Sequence, residues 1–158
     1  MRQEHVYIVL LSFSLSLGYL SCRTPVRSDV LINRYSNAAC VQPTIAKAFY
    51  RPTRGWDAEI TLTSGLVVRV RGFESASGII TVRYLPDGPE LTAVNPGDYI
   101  YPNDVRVDRA QGVLYVRADG TSAGIWRQTW LYGYDLVHRR QISRMQVDPS
   151  VLPPKCPM

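Results

Sequence analysis

The stretch AEITLTSGLVVRVRG, Ala58 to Gly72, decides the fold class of this chain. In its first half Ile60 and Leu62 alternate with polar residues, and the second half alternates in the same way after an intervening Ser-Gly pair. Successive side chains of a strand point to opposite faces of a sheet, so a period of two is typical of a half-buried strand. Two such runs joined by a short turn that contains glycine predict a β-hairpin.

Similar runs follow along the rest of the chain, separated by residues that favour turns. Their sequences are GIITVRYL (78–85), LTAV (91–94), DYIY (98–101), DVRVD (104–108), GVLYVRA (112–118), QTWLYGYDL (128–136) and RQISRMQV (140–147). Many short strands with frequent turn signals are typical of all-β domains. The predicted fold is therefore mainly β, a small antiparallel β-sandwich or barrel of about eight strands.

Two patterns indicate how the strands are grouped. Residues 104–147 hold four strands within 44 residues, close to the length of one β-propeller blade. A propeller needs at least four blades, and this chain has room for two at most. In addition, Gly65–Ile79 resembles Gly112–Ile125 after a shift of about 47 residues. Two four-stranded sheets packed face to face would account for both patterns, although hairpins rich in Gly and Val also resemble one another by chance.

The residues before the first hairpin predict one or two short helices near the N-terminus. SDVLINRYSNAAC begins with Ser28 and Asp29, which are both good helix caps, so a short helix is predicted there. PTIAKAFY, residues 43–50, predicts one or two further helical turns.

The chain starts with an apolar segment. VYIVLLSFSLSLGYL, Val6 to Leu20, is 15 residues long, whereas a helix that crosses a hydrocarbon core needs about 20. Its length suits the apolar region of a signal peptide, with Arg2 and the amino terminus supplying positive charge and Glu4 subtracting from it. Export is therefore predicted; an uncleaved anchor and a buried N-terminal element are the alternatives. The predicted divisions are 1–21 as signal peptide, 22–56 as a tether with a short helical segment, and 57–158 as the β domain.

The residues at the end of this segment resemble the lipobox of bacterial lipoprotein precursors. In that family an aliphatic residue and two smaller residues precede a cysteine, whose sulfur receives a diacylglycerol group. Ser21 and Cys22 match this pattern, while Leu20 is bulkier than usual and Tyr19 stands where the family has an aliphatic residue. The resemblance implies lipid attachment at Cys22. Because Arg23 follows, and not the aspartate of the inner-membrane retention signal, it also implies the outer membrane of a Gram-negative cell.

The chain has three cysteines, and an odd number in an exported protein leaves one thiol to be explained. If Cys22 carries the lipid, Cys40 and Cys156 remain as a pair that can join in an oxidising periplasm. That bond would staple the proline-rich tail to the N-terminal part of the mature chain. The alternative pairs Cys22 with Cys40 and leaves Cys156 free. No cysteines have the spacing of zinc ligands, and His138 is the only histidine after the predicted leader, so no metal and no cofactor are expected.

An aromatic row is the first candidate binding feature. Trp126, Trp130, Tyr132 and Tyr134 share a parity, and in an extended strand the last three project from one face, about 7 Å apart. An exposed row of this kind stacks on sugar rings or receives side chains of a protein partner. The alternative is that the same aromatic side chains fill the core of the sheet.

A basic turn is the second candidate. HRRQISR places His138, Arg139 and Arg140 next to one another near one turn. Clustered basic residues bind lipid headgroups or an acidic partner. The alternative is a solvated hairpin tip.

Charge and motifs narrow the functional classes. The net charge of +5 is spread along the chain without a block of like charges, so a solvated basic surface is its simplest interpretation. The chain has no G-x-S-x-G turn, and no catalytic residue is singled out. We therefore expect an exported, lipid-anchored envelope protein with a non-catalytic binding or accessory role. Its expected partners are another envelope protein or macromolecule and, through the anchor, the membrane; nucleic acid is not expected.

Two alternative functions remain open. One is an immunity-type inhibitor that neutralises a periplasmic toxin, since such inhibitors are often small exported lipoproteins. The other is a module that binds glycan or peptidoglycan, for which the aromatic row would supply the stacking surface.

Overall fold

The computed structural model of this chain describes residues 27–42, 55–73, 79–95, 104–121 and 127–157. The predicted signal peptide, the lipid-attachment residue Cys22 and Trp126 lie outside these residues. The second predicted helix, over 43–50, and the predicted strand DYIY lie outside them as well.

The described residues form mainly β structure with one α-helix, which confirms the predicted fold class. The helix α1 spans Ser28–Asn37, and a 3-10 helix spans Pro149–Val151. The strands are β1 Ala39–Cys40, β2 Gly55–Thr61, β3 Val67–Phe73, β4 Ile80–Tyr84, β5 Glu90–Val94, β6 Val105–Asp108, β7 Val113–Thr121, β8 Arg127–Asp135 and β9 Arg140–Val147.

The strands form two antiparallel sheets. The five-stranded sheet has the order β1-β6-β7-β8-β9, and the four-stranded sheet has the order β2-β3-β4-β5. Apart from β1, which pairs with β6, each strand pairs with its neighbour in sequence. Within the described residues neither sheet closes into a barrel, so of the two predicted forms the chain adopts the sandwich.

The two sheets share one hydrophobic core, which the alternation in the sequence produces. Val68 and Val70 of β3 face inward and are fully buried, whereas Arg69 between them lies on the outer face. From the other sheet, β7 supplies Leu114 and Val116 to the same core. Full burial of an aliphatic side chain is worth about 1.5–3 kcal/mol relative to exposure, so these inward residues hold the sheets together.

The five-stranded sheet is covered on its second face as well. α1 places Leu31 and Tyr35, one helical turn apart, in a second buried cluster with Tyr115 and Leu131 of that sheet. Leu152, from the tail after β9, belongs to the same cluster. Residues i and i+4 lie on one face of a helix, so a single apolar stripe is enough to dock α1.

The start of α1 differs in detail from the prediction. Arg27 occupies the N-cap position without a side-chain hydrogen bond, Ser28 is already helical, and Asp29 lies in the first turn. An acidic residue still suits that position because it interacts favourably with the helix dipole. Within the predicted tether, α1 and β1 pack on the β domain, and Gly55 and Trp56 already belong to β2.

The outer face of the four-stranded sheet is polar. Glu59, Arg69, Arg83 and Glu90 lie opposite one another on successive strands, so acidic residues flank two arginines. Arg69 Nη2 lies 3.3 Å from Glu59 Oε2, and both side chains are largely exposed. Exposed ion pairs contribute little to stability, so this row keeps the face solvated and does not hold the strands together.

The two meanders β2–β5 and β6–β9 repeat the same plan. Gly65, in the turn between β2 and β3, has a φ of 86°, and Gly112, in the turn between β6 and β7, has a φ of 66°. Glycine adopts such angles readily because it has no Cβ atom. These two glycines superpose under the shift of about 47 residues seen in the sequence. The similar segments therefore supply the second strand of each meander, and β1 is added at the edge of the second.

The close approach of β2 and β3 gives a test of the core. Trp56 and Gly72 are cross-strand partners, and a Cβ atom on Gly72 would overlap the Trp56 indole. We expect Gly72→Ala to lower the free energy of unfolding by about 1–3 kcal/mol, the usual cost of overpacking. Urea unfolding followed by circular dichroism measures the change. In a Trp56→Leu background the same alanine should cost clearly less; equal costs in both backgrounds would contradict this packing.

Candidate functional site

One end of the sandwich gathers four hairpin turns, and we refer to it as the hairpin end. Each turn joins the first strand to the second, or the third to the fourth, of its own meander, so the two turns of each sheet lie at one end of that sheet. Hydrogen bonds from Thr63 to Arg109 and from Tyr84 to Leu136 place the turns of both sheets together. The turns are Leu62–Leu66, Leu85–Pro89, Arg109–Gly112 and Leu136–Arg139.

Hydrogen bonds join these turns, both between the two sheets and within the five-stranded sheet. The Thr63 amide donates to the carbonyl of Arg109 at 3.1 Å, and the Leu136 amide donates to the carbonyl of Gly112 at 2.8 Å. The Tyr84 hydroxyl donates to the carbonyl of Leu136 at 2.8 Å. The hairpin end is therefore one connected surface.

The turn that carries the predicted basic residues is built on Asp135. Its Oδ1 accepts hydrogen bonds from the amides of Val137 and His138, both at 2.9 Å. Its Oδ2 lies 2.7 Å from His138 Nδ1, which orients the imidazole. Burial alone would raise the pKa of Asp135, but these hydrogen bonds outweigh it and hold the pKa below its ordinary range.

The preceding turn of the same sheet has the same construction. Asp108 Oδ1 accepts from the amides of Ala110 and Gln111, at 3.0 and 2.9 Å. In both turns the fourth residue after the aspartate is left-handed: Gly112 in one, with a φ of 66°, and Arg139 in the other, with a φ of 56°. A left-handed residue other than glycine costs about 1–2 kcal/mol. Arg139 therefore occupies a position whose backbone favours glycine.

The Arg139 side chain crosses to the other sheet. Its guanidinium lies 4.4 Å from the centroid of the Tyr84 ring, a distance typical of a cation–π contact. Burial raises the pKa of the Tyr84 hydroxyl well above its ordinary value, so the ring stays neutral. A guanidinium stacked on a ring keeps its N–H donors in its own plane, where they remain accessible.

The hairpin end holds as many carboxylates as arginines, because Asp87 in the turn Leu85–Pro89 adds to Asp108 and Asp135. Arg109, Arg139 and Arg140 are exposed, and within the described ranges none of them forms an ion pair. The carboxylates of Asp108 and Asp135 accept hydrogen bonds from turn amides of their own hairpins. The predicted residues His138, Arg139 and Arg140 lie in one turn, and the neighbouring turn adds Arg109, which no sequence pattern indicates.

The aromatic row is placed differently. Tyr132 and Tyr134 are each only 3% exposed and belong to the core between the sheets, while Trp130 is partly buried against that core. Arg144 lies over Trp130, 4.6 Å from the ring centroid, and 5.9 Å from the ring of Tyr132. The core alternative therefore describes these tyrosines, and an exposed row is not what the described residues form. Parity alone could not decide this, because it fixes a shared face but not what covers that face.

The C-terminal tail is attached by a disulfide between Cys40 and Cys156, the pairing predicted for a chain with lipid at Cys22. Beside it Arg106, only 8% exposed, donates from Nη1 to the carbonyl of Ser36 at 3.2 Å and from Nη2 to that of Pro154 at 2.9 Å. Its guanidinium also lies 5.0 Å from the centroid of the Tyr35 ring. Arg106 thus links α1, β6 and the tail.

Charged side chains hold the tail at a second point. Lys155 Nζ lies 2.6 Å from Asp104 Oδ1 and 3.0 Å from Asp119 Oδ2. Arg117 Nε lies 3.1 Å from Asp119 Oδ1, which also accepts a hydrogen bond from Thr129 Oγ1 at 2.8 Å. None of these residues stands out in the sequence, because no local pattern relates β6, β7 and the tail.

The protonation equilibria of this cluster are shifted in opposite directions. Burial alone would raise the pKa of Asp119, but hydrogen bonds from Thr129, Lys155 and Arg117 lower it below its ordinary value. Burial alone would lower the pKa of Lys155, but Asp104 and Asp119 raise it above its ordinary value. Both groups are therefore ionised at neutral pH, and the cluster is an internal ion network that favours a structural role.

The described residues contain no group of histidine, cysteine and acidic side chains that could hold a metal ion. In the same part of the chain, no helix has the length and apolar character needed to cross a membrane. Comparison with protein-family models, curated proteins and solved structures finds no match to this chain. The site must therefore be interpreted from its own chemistry.

Removing the disulfide tests how much the tail attachment stabilises the fold. The two cysteines are 116 residues apart, and closing a loop of about 100 residues is worth about 4–5 kcal/mol in the chain-entropy model. We expect Cys40→Ser combined with Cys156→Ser to lower the free energy of unfolding by about 4 kcal/mol, measured by urea unfolding. A reductant should shift the wild type to the same midpoint and leave the double variant unchanged. A wild-type midpoint that does not respond to reductant would contradict the bond.

The ion network predicts how stability depends on pH. Because the pKa of Asp119 is lowered on folding, its contribution is complete above about 3.8 and is lost as the pH falls through the folded value. Because the pKa of Lys155 is raised, its contribution is complete below about 10.5 and is lost as the pH rises through the folded value. Asp119→Asn should flatten the acid limb of a stability–pH profile, and Lys155→Met the alkaline limb.

The matched control for these profiles is Asp148→Asn. Asp148 is fully exposed and its pKa is lowered by hydrogen bonds from Ser150, outside the network. The Asp148→Asn variant should leave the alkaline limb of the stability–pH profile unchanged. Buried tyrosines such as Tyr35 and Tyr115 have raised pKa values and add to the alkaline loss in every variant, so each profile is read as a difference from wild type. An alkaline limb unchanged by Lys155→Met would contradict the network.

Proposed function

We propose that this protein is exported and anchored by a lipid at Cys22 to the periplasmic face of the bacterial envelope, at the outer membrane, where its mature domain has a non-catalytic binding or accessory role. The apolar leader and the residues around Cys22 support this location. The disulfide between Cys40 and Cys156 supports it as well, since such bonds persist in oxidising compartments and are rare in the cytosol.

The hairpin end is the surface proposed to carry the binding role. The proposal rests on Arg139, which has a left-handed backbone conformation although it is not glycine. The equivalent position of the neighbouring turn is glycine, which adopts the left-handed backbone without cost. Strained residues persist where the surrounding structure holds them, and they concentrate at functional sites. The guanidinium, held over Tyr84 with its donors accessible, offers a reason for an arginine there.

Other functions have less support. An activated nucleophile must lie within hydrogen-bond reach of its base, and in the described part of the chain no serine, threonine or cysteine side chain bonds to His138. A glycan-binding role was based on an exposed aromatic row, and Tyr132 and Tyr134 are buried. A binding or accessory role is therefore preferred.

Intact-mass spectrometry of the protein from a membrane fraction of bacterial cells tests the location. We expect a chain that begins at Cys22 and carries added acyl mass. We also expect two thiols that react with a label only after reduction, because Cys40 and Cys156 are paired and Cys22 is acylated.

Cys22→Ala is the matched control for that measurement. It should abolish the added acyl mass and leave the two reducible thiols unchanged. A soluble wild-type product cleaved elsewhere, or a full-length chain with three reactive thiols, would refute the proposal.

A further inference from the structure

We propose that the short connection between Cys22 and α1 holds the helix-covered side of the sandwich against the bilayer that carries the lipid anchor. We refer to this side as the anchor face; it consists of α1, the 3-10 helix Pro149–Val151 and the exposed side chain of Ile142. Because it requires the lipid at Cys22, this orientation rests on the proposed function. It adds a second surface to the hairpin end, with the lipid bilayer as its partner.

The connection between the proposed anchor and the folded domain is short. Five peptide steps separate Cys22 from Arg27, the residue that precedes α1. A chain covers at most about 3.3–3.6 Å per residue, so these steps span no more than about 18 Å. A lipid chain attached to Cys22 enters the bilayer and places this residue at the membrane surface. The first turn of α1 therefore lies within about 18 Å of that surface.

The domain is thicker than this connection is long. α1 covers one side of the five-stranded sheet, and the four-stranded sheet lies on the other side. Packed sheets are about 10 Å apart, and a helix with its side chains is about 10–12 Å across. α1 thus lies roughly 20 Å from the four-stranded sheet, and the outward side chains of that sheet add to the distance. The connection is too short for the outer face of that sheet to rest on the membrane.

α1 is attached to the domain along its whole length, so it does not extend the connection. Near its N-terminus Leu31 is only 2% exposed and belongs to the buried cluster on the five-stranded sheet. At its C-terminus Arg106 Nη1 donates to the carbonyls of Ser36 and Ala38, at 3.2 and 3.4 Å. The next residues form β1, which pairs with β6. The position of α1 therefore fixes the side of the domain that the anchor holds.

The anchor face carries most of the exposed apolar residues. Val30 of α1, Ile142 of β9 and Val151 of the tail are 38%, 37% and 53% exposed. A Cβ atom on Gly133 would lie 3.3 Å from Ile142 Cγ1, and Gly133 shares its parity with Leu131 of the cluster under α1, so Ile142 lies on the same side. Apolar side chains enter the headgroup region of a bilayer. Even a single myristoyl chain binds membranes only marginally, so three such residues suit this position without being able to hold the domain there.

The charges of the anchor face balance. Across residues 27–37 and 148–151 the exposed charged side chains are Arg27, Asp29, Arg34 and Asp148. Arg144 of β9 is directed to the other side of the sheet, where it lies over Trp130. Two arginines and two aspartates give no preference for an anionic surface. The bilayer is therefore selected as the occupant by the position of the anchor, and its lipids can be zwitterionic.

This orientation also places the hairpin end. When the face of a sheet is turned to the membrane, its strands run along the membrane surface. The turns that form the hairpin end then lie at the side of the domain. A partner on the same membrane can reach Arg139 there without displacing the anchor face.

Fluorescence quenching by lipids tests the orientation. The lipidated chain is purified from the membrane fraction and reconstituted in phosphatidylcholine vesicles, with or without a lipid that carries a nitroxide on its headgroup. A fluorophore is attached to one thiol in the variants Val30→Cys, Val151→Cys and Arg83→Cys. Because Cys40 and Cys156 are paired and Cys22 is acylated, only the introduced thiol reacts.

We expect the nitroxide to quench the labels at positions 30 and 151 and to leave the label at position 83 unquenched. Arg83 is exposed on the outer face of the four-stranded sheet, so Arg83→Cys is the matched control on the far side of the domain. Addition of phosphatidylglycerol should not change this pattern, because the charges of the anchor face balance. A circular dichroism spectrum like that of wild type verifies that each variant is folded.

A longer connection tests the cause of the orientation. A flexible linker of about 20 Gly and Ser residues, inserted between Arg23 and Thr24, has a root-mean-square length of about 25 Å. It allows the domain to turn, so the label at position 30 should lose most of its quenching while the acyl mass stays the same. Selective quenching that persists at position 30 would show that the connection is not what orients the domain.

Other results would overturn the orientation itself. Equal quenching at positions 30 and 83, or quenching at position 83 alone, would contradict it. Labels at positions 30 and 151 that the nitroxide does not quench, but that become shielded from iodide at high protein density, would assign the anchor face to a second copy of the chain. The acyl mass is measured on every preparation. If it is absent both proposals fail, whereas equal quenching in an acylated chain refutes the orientation alone.

Discussion

The central strands of the five-stranded sheet are buried on both faces, and the rest of the structure depends on this constraint. In β7 Leu114 and Val116 face the four-stranded sheet, while Val113 and Tyr115 face α1 and the tail. A strand covered on both sides needs two separate layers of partner residues. The first meander, β2–β5, supplies one layer, and the helix with the C-terminal tail supplies the other. The tail has only a short 3-10 helix of its own, so a covalent bond and a network of charges keep it in place.

The same constraint explains where polar chemistry is found. Arg106, Asp104 and Asp119 lie on elements covered by the tail, and a buried charge is tolerated only when it is paired. Their partners come from α1, the tail and neighbouring strands. The network therefore attaches the tail to the second face of the five-stranded sheet. By contrast, the exposed arginines of the hairpin end have no comparable partners within the described residues, and this makes the end, and not the ion network, the candidate for binding.

The turns built on Asp108 and Asp135 have the same backbone conformation but differ in one side chain. Both use the same hydrogen bonds and the same left-handed residue, and they differ in whether that residue is Gly112 or Arg139. Local rules for turn residues predict glycine at both positions. Departures from such rules are expected at functional or strained sites. The departure therefore directs attention to Arg139 independently of its charge.

The sequence by itself determined the strands of both meanders, the position of α1 and the internal similarity, and it left the pairing of Cys40 with Cys156 as one of two alternatives. These follow from alternation, turn residues and counting, which act within a short stretch of chain or on composition. Only the tertiary structure decided that Tyr132 and Tyr134 are core residues, because alternation assigns a face and not its cover. It alone brought Lys155 to Asp104 and Arg109 to Arg139, since residues far apart in sequence meet only after the sheets have packed. Local physics sets the elements of this protein, and burial, which is a property of the whole fold, sets which of their side chains are available to a partner.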